Sequence, residues 1–129
     1  MASCVIDTSA VFIDLQDEPG ADDARKWLRD AVISSVNLHE IVAKATEKGA
    51  SPEQVKTLIA KLHLTVHPHG EEDALEAGLL RKATRTKGLG LGDRACLALA
   101  RKLNLPAVTA DKAWLDLADE LAVNVVIVR

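Results

Sequence analysis

Short apolar runs alternate with longer helical patterns along the chain, and this alternation constrains the fold more than any other feature. The runs are rich in β-branched residues and bounded by turn residues, as is typical of strands. They predict strands at 3–6, 31–35, 64–67, 107–109 and 123–128. The last run, VNVVIV, is almost continuously apolar, which predicts a strand covered on both faces.

The segments between the runs predict helices at 20–30, 36–48, 51–62, 70–84, 93–104 and 111–121. Gly49 marks the end of the second helix. The third begins SPEQ, with Ser51 as N-cap and Gln54 three residues later. Strand–helix alternation predicts an α/β fold, a parallel five-stranded sheet with helices on both faces, and we expect 1–129 to form one domain. Ligands in such sheets bind at the carboxyl ends of the strands, near the point where the strand order reverses.

Composition narrows the class of protein. Hydrophobic residues make up 48% and charged residues 27%, as in ordinary globular proteins. No apolar run approaches ~20 residues, and MASCVIDTSA lacks the basic start of a secretory signal, so we expect a cytoplasmic protein without membrane contact. Cys4 and Cys96 lie in apolar runs away from metal-ligand partners, which predicts buried free thiols.

The charge pattern argues against a general duplex-DNA binder, because the net charge is −3 rather than strongly positive. It does not exclude a nuclease, whose acidic centre lowers the total. Residues 81–102 carry seven basic residues against Asp93 alone. This run is either a solvated helix face or a phosphate-attracting surface beside Asp93.

Four acids occupy similar positions relative to the predicted strands. Asp7 follows the first strand, Glu40 lies in the first turn of the helix after the second, and Asp111 follows the fourth. Asp93 opens a helix whose residues 95–100 are apolar on every side. A helix apolar all round is normally buried, so we expect Asp93 to be held against the sheet.

Helix capping explains each acid singly, and Asn37 with Glu40 even has the spacing of a capping box. Capping does not require four acids at one edge of a sheet. Clustered carboxylates raise one another's pKa unless a cation offsets their charge. Mg²⁺, with Mn²⁺ as a substitute, suits an all-oxygen site, and metal-assisted phosphodiester hydrolysis is the chemistry that uses one.

The segments VIDTSA, SSVNLHEIVAK, GLGLGDRACLALARKLNLPAVTADKAW and VNVVIV together resemble the PIN-domain family. More closely, they resemble the VapC-type ribonuclease toxins of toxin–antitoxin pairs, and the resemblance covers essentially the whole chain. It implies a three-layer α/β sandwich with a metal-dependent endoribonuclease site. The family's acids fall on Asp7, Glu40, Asp93 and Asp111, of which Asp111 occupies the family's most variable position.

We expect Asp7 and Asp93 to ligate the ion directly. Glu40 and Asp111 would ligate it, hold its waters or bind a second ion. Attack by an activated water predicts products with a 5′-phosphate and a 3′-hydroxyl. Ser9 matches a hydroxyl often found two residues after the family's first acid, and Thr109 sits where a hydroxyl could touch the ion or its water.

The roles of the other charged residues are less specifically indicated by the sequence. Arg94 either pairs with a site carboxylate or neighbouring helix, or contacts a substrate phosphate. Lys112 and Asp116 are four apart and are expected to pair on a helix surface, although a metal role for Asp116 stays open. The four histidines form no convincing site, because His39 should point away from Glu40 and the others are expected outside it.

The resemblance also implies partners: a cognate VapB-type antitoxin, a structured transfer or ribosomal RNA as substrate, and a second copy of the chain in a homodimer. Apolar positions in 20–62 serve either an interface or the core. Two alternatives differ in class. A non-catalytic PIN-like scaffold protein would lack some of the four acids, and a phospho-receiver domain would carry paired acids after its first strand and a lysine after its fifth.

Overall fold

The computed structural model describes residues 1–129 and contains a five-stranded, fully parallel sheet in the order β3-β2-β1-β4-β5. The strands are β1 (Cys4–Ile6), β2 (Ala31–Ser34), β3 (Thr65–His67), β4 (Ala107–Thr109) and β5 (Val125–Ile127). The chain adds β2 and β3 on one side of β1 and then returns to add β4 and β5 on the other. The strand order therefore reverses between β1 and β4, where ligands bind in open parallel sheets.

Eight α-helices surround the sheet. They are α1 (Thr8–Leu15), α2 (Ala21–Leu28), α3 (Ser35–Glu47), α4 (Pro52–Leu62), α5 (Glu71–Leu79), α6 (Arg81–Thr84), α7 (Leu91–Leu103) and α8 (Ala118–Leu121). Two 3-10 segments, Arg85–Lys87 and Lys112–Leu117, precede α7 and α8. None of the helices combines the length and apolar character needed to cross a membrane.

Alternate residues of the strands pack into two separate hydrophobic cores, one on each face of the sheet. Cys4 and Ile6 pack on the face covered by α1 and α2, whereas Val5 packs on the face covered by α7. This two-residue alternation is what a sheet covered on both sides requires. The predicted three-layer α/β sandwich is confirmed, and both cysteines are buried and free as expected.

Several predicted elements differ from the structure. Helix α1 was not predicted, because five of its eight residues are buried and TSAVFIDL lacks the polar face that would reveal a helix. The predicted helix at 111–121 begins with six residues of 3-10 helix, and the one at 70–84 breaks at Leu80. Strand β5 lies at the sheet edge, where Val126 packs against one core and Val125 against the other, so both faces are covered as expected but only in part.

The predicted helix caps and the predicted surface ion pair are also confirmed only in part. Ser51 and Gln54 form the predicted capping box, with bonds of 2.8 and 3.2 Å. Asn37 is not a cap, because α3 starts at Ser35, one residue earlier than predicted, and Ser34 accepts the capping bond from the Val36 N–H. The predicted Lys112–Asp116 pair is also absent, since Asp116 bonds to Lys87 at 3.0 Å instead.

Candidate active site

The structure brings the four predicted acids to the carboxyl edge of the sheet, at the reversal point. Asp7 directly follows β1 and Asp111 lies two residues beyond β4. Helix α3 carries Glu40 in its second turn, and α7 carries Asp93 as its third residue rather than its first. The expected position of Asp93 is thus corrected by two residues, because Gly90 is the N-cap.

Asp7 is the most deeply buried of the four acids, with 3% of its surface exposed. Its pKa is raised from 3.8 to about 6, mainly by burial; the charges of Asp93 and Glu40 contribute to the rise, while hydrogen bonds from Ser9 and Thr109 oppose it. Asp7 occupies the N-cap position of α1 but makes no capping bond with its side chain. Capping therefore does not account for this acid.

A hydroxyl pair holds Asp7 and ties it to the loop after β4. Ser9 and Thr109 both donate to Asp7 Oδ2, at 2.7 and 2.9 Å. The Ala110 N–H donates to Ser9 Oγ, and the Asp111 N–H donates to Thr109 Oγ1. We call this set the strand-end network, because its members follow β1 and β4 along the chain.

A second set of bonds holds Glu40. Thr8 Oγ1 and Asn37 Nδ2 donate to Glu40 Oε1 at 2.7 and 3.0 Å, and Asn37 Nδ2 also donates to the Gly92 carbonyl at 3.1 Å. Asn37 is fully buried. We call this set the helix-contact network, because it joins α1, α3 and α7. Thr8 and Asn37 were missed as site residues, since only the packing of these helices brings them to Glu40.

Gly92 belongs to the helix-contact network for a steric reason. A Cβ at this position would overlap the Glu40 carboxylate. At Gly90, two residues earlier, a Cβ would meet nothing within 4 Å. The glycine immediately before Asp93 therefore lets α7 approach Glu40.

Asp93 is half-buried at the start of α7, and its Oδ2 accepts a bond of 2.9 Å from the Gly90 N–H. Burial raises its pKa, and Glu40 and Asp111 raise it further, while the Gly90 bond and Arg94 oppose the rise. Arg94 forms no ion pair with a carboxylate; its Nη1 donates to the Leu89 carbonyl at 3.1 Å. It lies near enough to Asp93 to act on it electrostatically.

All four acids share one pattern of hydrogen bonding. In each, one carboxylate oxygen accepts bonds from the protein and the other accepts none. The free oxygens are Asp7 Oδ1, Glu40 Oε2, Asp93 Oδ1 and Asp111 Oδ2. Four oriented carboxylates with unused oxygens, whose charges help to raise the pKa of Asp7 and Asp93, suit a hard divalent cation.

No three acidic, histidine or cysteine side chains stand close enough to form a ready-made ligand set. That spacing does not suit an ion that the protein must surround completely. It suits Mg²⁺, which keeps several waters and takes one or two carboxylates directly. The residues present therefore fit a hydrated Mg²⁺, and their role as ligands remains a prediction.

Two clefts flank Asp7 along the sheet edge. The first, of about 400 Å³, is lined by Ser9, Ala110, Asp111, Lys112 and Arg129. Neither cation in it forms an ion pair with an acidic side chain. We call it the cationic cleft.

The second cleft, of about 540 Å³, includes His39, Glu40, His69 and Leu91 in its lining. We call it the histidine cleft. His39 and Glu40 are adjacent on α3 and both line this cleft, but His39 also lines a neighbouring cleft without Glu40, so the expectation that it points away stays a prediction. The sequence could not reveal that His69, on the loop after β3, joins them.

The basic run at 81–102 is partly neutralised. Lys87 pairs with Asp116 at 3.0 Å, Arg101 with Glu76 at 3.6 Å, and Lys102 with Asp73 at 3.1 Å. For these three residues the solvated, paired surface is the better description. Other cations of the run, Arg81, Lys82 and Arg85, are exposed and form no ion pair.

Comparison with known proteins agrees with this architecture. A toxin–antitoxin complex from Klebsiella pneumoniae contains a chain with TM-score 0.76 and 20% identity, covering 98% of both chains. DNA-bound VapBC from Salmonella typhimurium gives TM-score 0.70 at 20% identity, covering 100% of both. VapBC2 from Rickettsia felis, bound to a promoter DNA fragment, gives TM-score 0.72 at 17% identity, covering 95% of this chain and 96% of that one.

At identities of 17–20%, these TM-scores establish a shared fold alone. No curated protein matches the sequence significantly. The family model described as PIN domain matches residues 4–120, which include all four acids. This chain belongs to the PIN domain family, as its sequence motifs predicted.

Proposed function

We propose that this chain is a metal-dependent endoribonuclease and the toxin of a toxin–antitoxin pair. One observation carries the proposal: four acids meet at the reversal point of the sheet, and each keeps one carboxylate oxygen free of protein hydrogen bonds. A scaffold protein would have no use for a buried Asp7 whose pKa is raised to about 6.

Asp7 and Asp93 would hold Mg²⁺ or Mn²⁺ directly, with Glu40 and Asp111 ligating the ion, orienting its waters or holding a second ion. When bound, the metal supplies a nucleophilic water at neutral pH and offsets the charge of the phosphate. Ser9 and Thr109 fix the orientation of Asp7, and Thr8 and Asn37 fix that of Glu40. Hydrolysis by water leaves a 5′-phosphate and a 3′-hydroxyl.

The unpaired cations beside the acids support RNA as the substrate. Lys112 and Arg129 line the cationic cleft together with Asp111, so they are placed to attract phosphates flanking the cleavage position. By resemblance, the RNA is a structured transfer or ribosomal RNA. Arg94 is less suited to phosphate contact, because its Nε is buried and its Nη1 bonds to the Leu89 carbonyl.

A protein partner is supported by a separate surface. A cleft of about 580 Å³ between α3 and α4 is lined mainly by apolar residues, including Leu38, Val42, Val55 and Ile59. Exposed apolar clefts of this kind mark interaction sites in soluble proteins. A VapB-type antitoxin or a second copy of the chain would cover it. The solved structures with this fold include several toxin–antitoxin complexes.

The test is cleavage of purified transfer and ribosomal RNA with Mg²⁺ or Mn²⁺, comparing the native protein with Asp93→Asn. The asparagine keeps an oxygen for the Gly90 N–H but loses the charge that would bind the ion. We expect the native protein to cut, and we expect both a chelator and Asp93→Asn to abolish cutting. Asp119→Asn is the matched control, because Asp119 is an exposed acid without a side-chain partner.

Mapping the fragment ends tests the mechanism separately. A 5′-phosphate and a 3′-hydroxyl support water attack, whereas a cyclic phosphate would point to attack by the RNA 2′-hydroxyl. Equal behaviour of native protein and Asp93→Asn on a broad RNA pool, with folded protein free of antitoxin, would make the scaffold function the better description.

A further inference from the structure

The histidine cleft is large enough for a nucleotide and opens directly beside Glu40. Its volume of about 540 Å³ lies within the range of small-molecule sites. His39 is exposed and His69 half-exposed, so both imidazoles are accessible, and Leu91 is 63% exposed at its rim. An accessible leucine beside two aromatic rings is an apolar surface that the fold itself leaves uncovered.

The position of His69 is fixed rather than incidental. The His69 N–H donates to Ser35 Oγ at 2.9 Å, which ties the loop after β3 to the first residue of α3. Ser35 also lines the cleft. The backbone at His69 is thereby held at the same edge of the sheet as the acids.

Charge decides which part of an RNA strand fits here. The histidine cleft contains the Glu40 carboxylate and no lysine or arginine among its lining residues, so it does not favour a phosphate. Aromatic rings and polar acceptors are instead what proteins use to stack and read unpaired bases. The cationic cleft on the other side of Asp7 has the charge that suits the phosphate backbone.

The sheet order places the two clefts on opposite sides of the acids. The histidine cleft lies over the ends of β2 and β3, and the cationic cleft over the ends of β4 and β5, with β1 and Asp7 between them. Strands stand ~4.8 Å apart, so this edge spans ~19 Å, a length that a few nucleotides cover.

Resting on the proposed nuclease function, we propose that the histidine cleft is a nucleobase subsite. An unpaired base of the RNA strand stacks on the imidazoles of His39 and His69 and against Leu91, while the phosphate next to it lies at the acids. These residues then determine the base preference beside the cleavage position.

The first test uses the histidines as reporters of binding. RNA hexanucleotides of different sequence are added to the Asp93→Asn protein in Mg²⁺, and imidazole NMR signals are followed. We expect the His39 and His69 signals to shift and that of His63 to stay unchanged. His63 is the internal control, because it lies before β3 and therefore at the opposite edge of the sheet. Equal shifts at His63 and His69, or none at either, would overturn the subsite.

The second test measures cleavage by His69→Ala and Leu91→Ala, with His63→Ala as the matched control. For each of the two variants we expect KM to rise roughly five- to tenfold, which is the lower end of the effect of losing one side chain on which a base stacks. We also expect the preference for a particular base beside the cleavage position to weaken. A native enzyme that cuts RNA while both variants keep its KM and preference would remove the subsite and leave the nuclease intact. If the native protein cuts no RNA, the nuclease proposal fails, and the NMR measurement still decides whether the cleft binds bases.

Discussion

The strand-end network and the helix-contact network hold neighbouring acids by different means. The first fixes Asp7 with a hydroxyl from the start of α1 and another from the last residue of β4, so both donors lie where a strand ends. The second fixes Glu40 with side chains from α1 and α3 and requires α7 to approach closely. Thr8 and Ser9 are adjacent in sequence, yet each serves a different network.

The acids held by the two networks also differ in how deeply they are buried. Asp7 is 3% exposed, and burial is the main cause of its raised pKa. Glu40 is half-exposed and lies in the wall of the histidine cleft. The strand-end network thus keeps a costly charge inside the fold, whereas the helix-contact network orients an accessible one. Substitutions should therefore change both stability and activity in the first network and mainly activity in the second.

The largest effect is expected from Asp7→Asn, which should abolish cleavage and also stabilise the metal-free protein. A pKa raised from 3.8 to about 6 corresponds to a cost of at most about 3 kcal/mol for keeping the carboxylate charged at pH 7. The amide removes that charge and keeps an oxygen for Ser9 and Thr109. Denaturant unfolding in the presence of a chelator measures the gain.

The pH dependence of the unfolding free energy tests independently whether the Asp7 charge destabilises the fold. Between about pH 4 and 6 the folded protein holds the Asp7 proton and the unfolded chain releases it, so this group makes native stability fall as pH rises. Asp7→Asn should lack that contribution. Asp111→Asn is the control, because Asp111 is exposed and its amide can still cap Ala113, so its stability should change by less than about 0.5 kcal/mol. A destabilised Asp7→Asn protein would contradict the assignment of a buried, costly charge.

Gly92→Ala should damage the helix-contact network most. The new methyl group would overlap the Glu40 carboxylate and displace it, and misplacement by about 1 Å can cost roughly a hundredfold in rate. Cleavage rates at saturating RNA measure the loss. Gly90→Ala is the matched control, since its methyl group enters open space and its N–H still bonds to Asp93; its rate should stay within about twofold of native. Equal rates for the two variants would show that Glu40 need not be held in place.

The two networks also show which parts of the fold and of the candidate site can be predicted from the sequence. Asp7 and Asp111 were predictable as neighbours, because parallel strands end at a common edge and the acids follow directly. Asn37 has the spacing of a capping box to Glu40, and the sequence does not reveal that α3 starts at Ser35 and so places Asn37 inside the helix. The role of Gly92 depends on the distance between two helices distant in sequence, which no local pattern encodes. The missed α1 has a different cause: a helix buried on most sides carries no polar stripe.

The smallest predicted effect is on RNA binding, and it distinguishes the cationic cleft from the histidine cleft. If Lys112 contacts a phosphate from the cationic cleft, Lys112→Gln should weaken RNA binding roughly fivefold at 0.1 M salt and lower the slope of log affinity against log salt by about 0.7. Binding is measured by titration in the Asp93→Asn background, with Lys61→Gln, an exposed lysine at the opposite edge of the sheet, as control. His69→Ala should weaken binding without changing the slope, because a stacked base releases no counterion. A slope that falls equally in all three variants would mean that the two clefts do not divide phosphate from base.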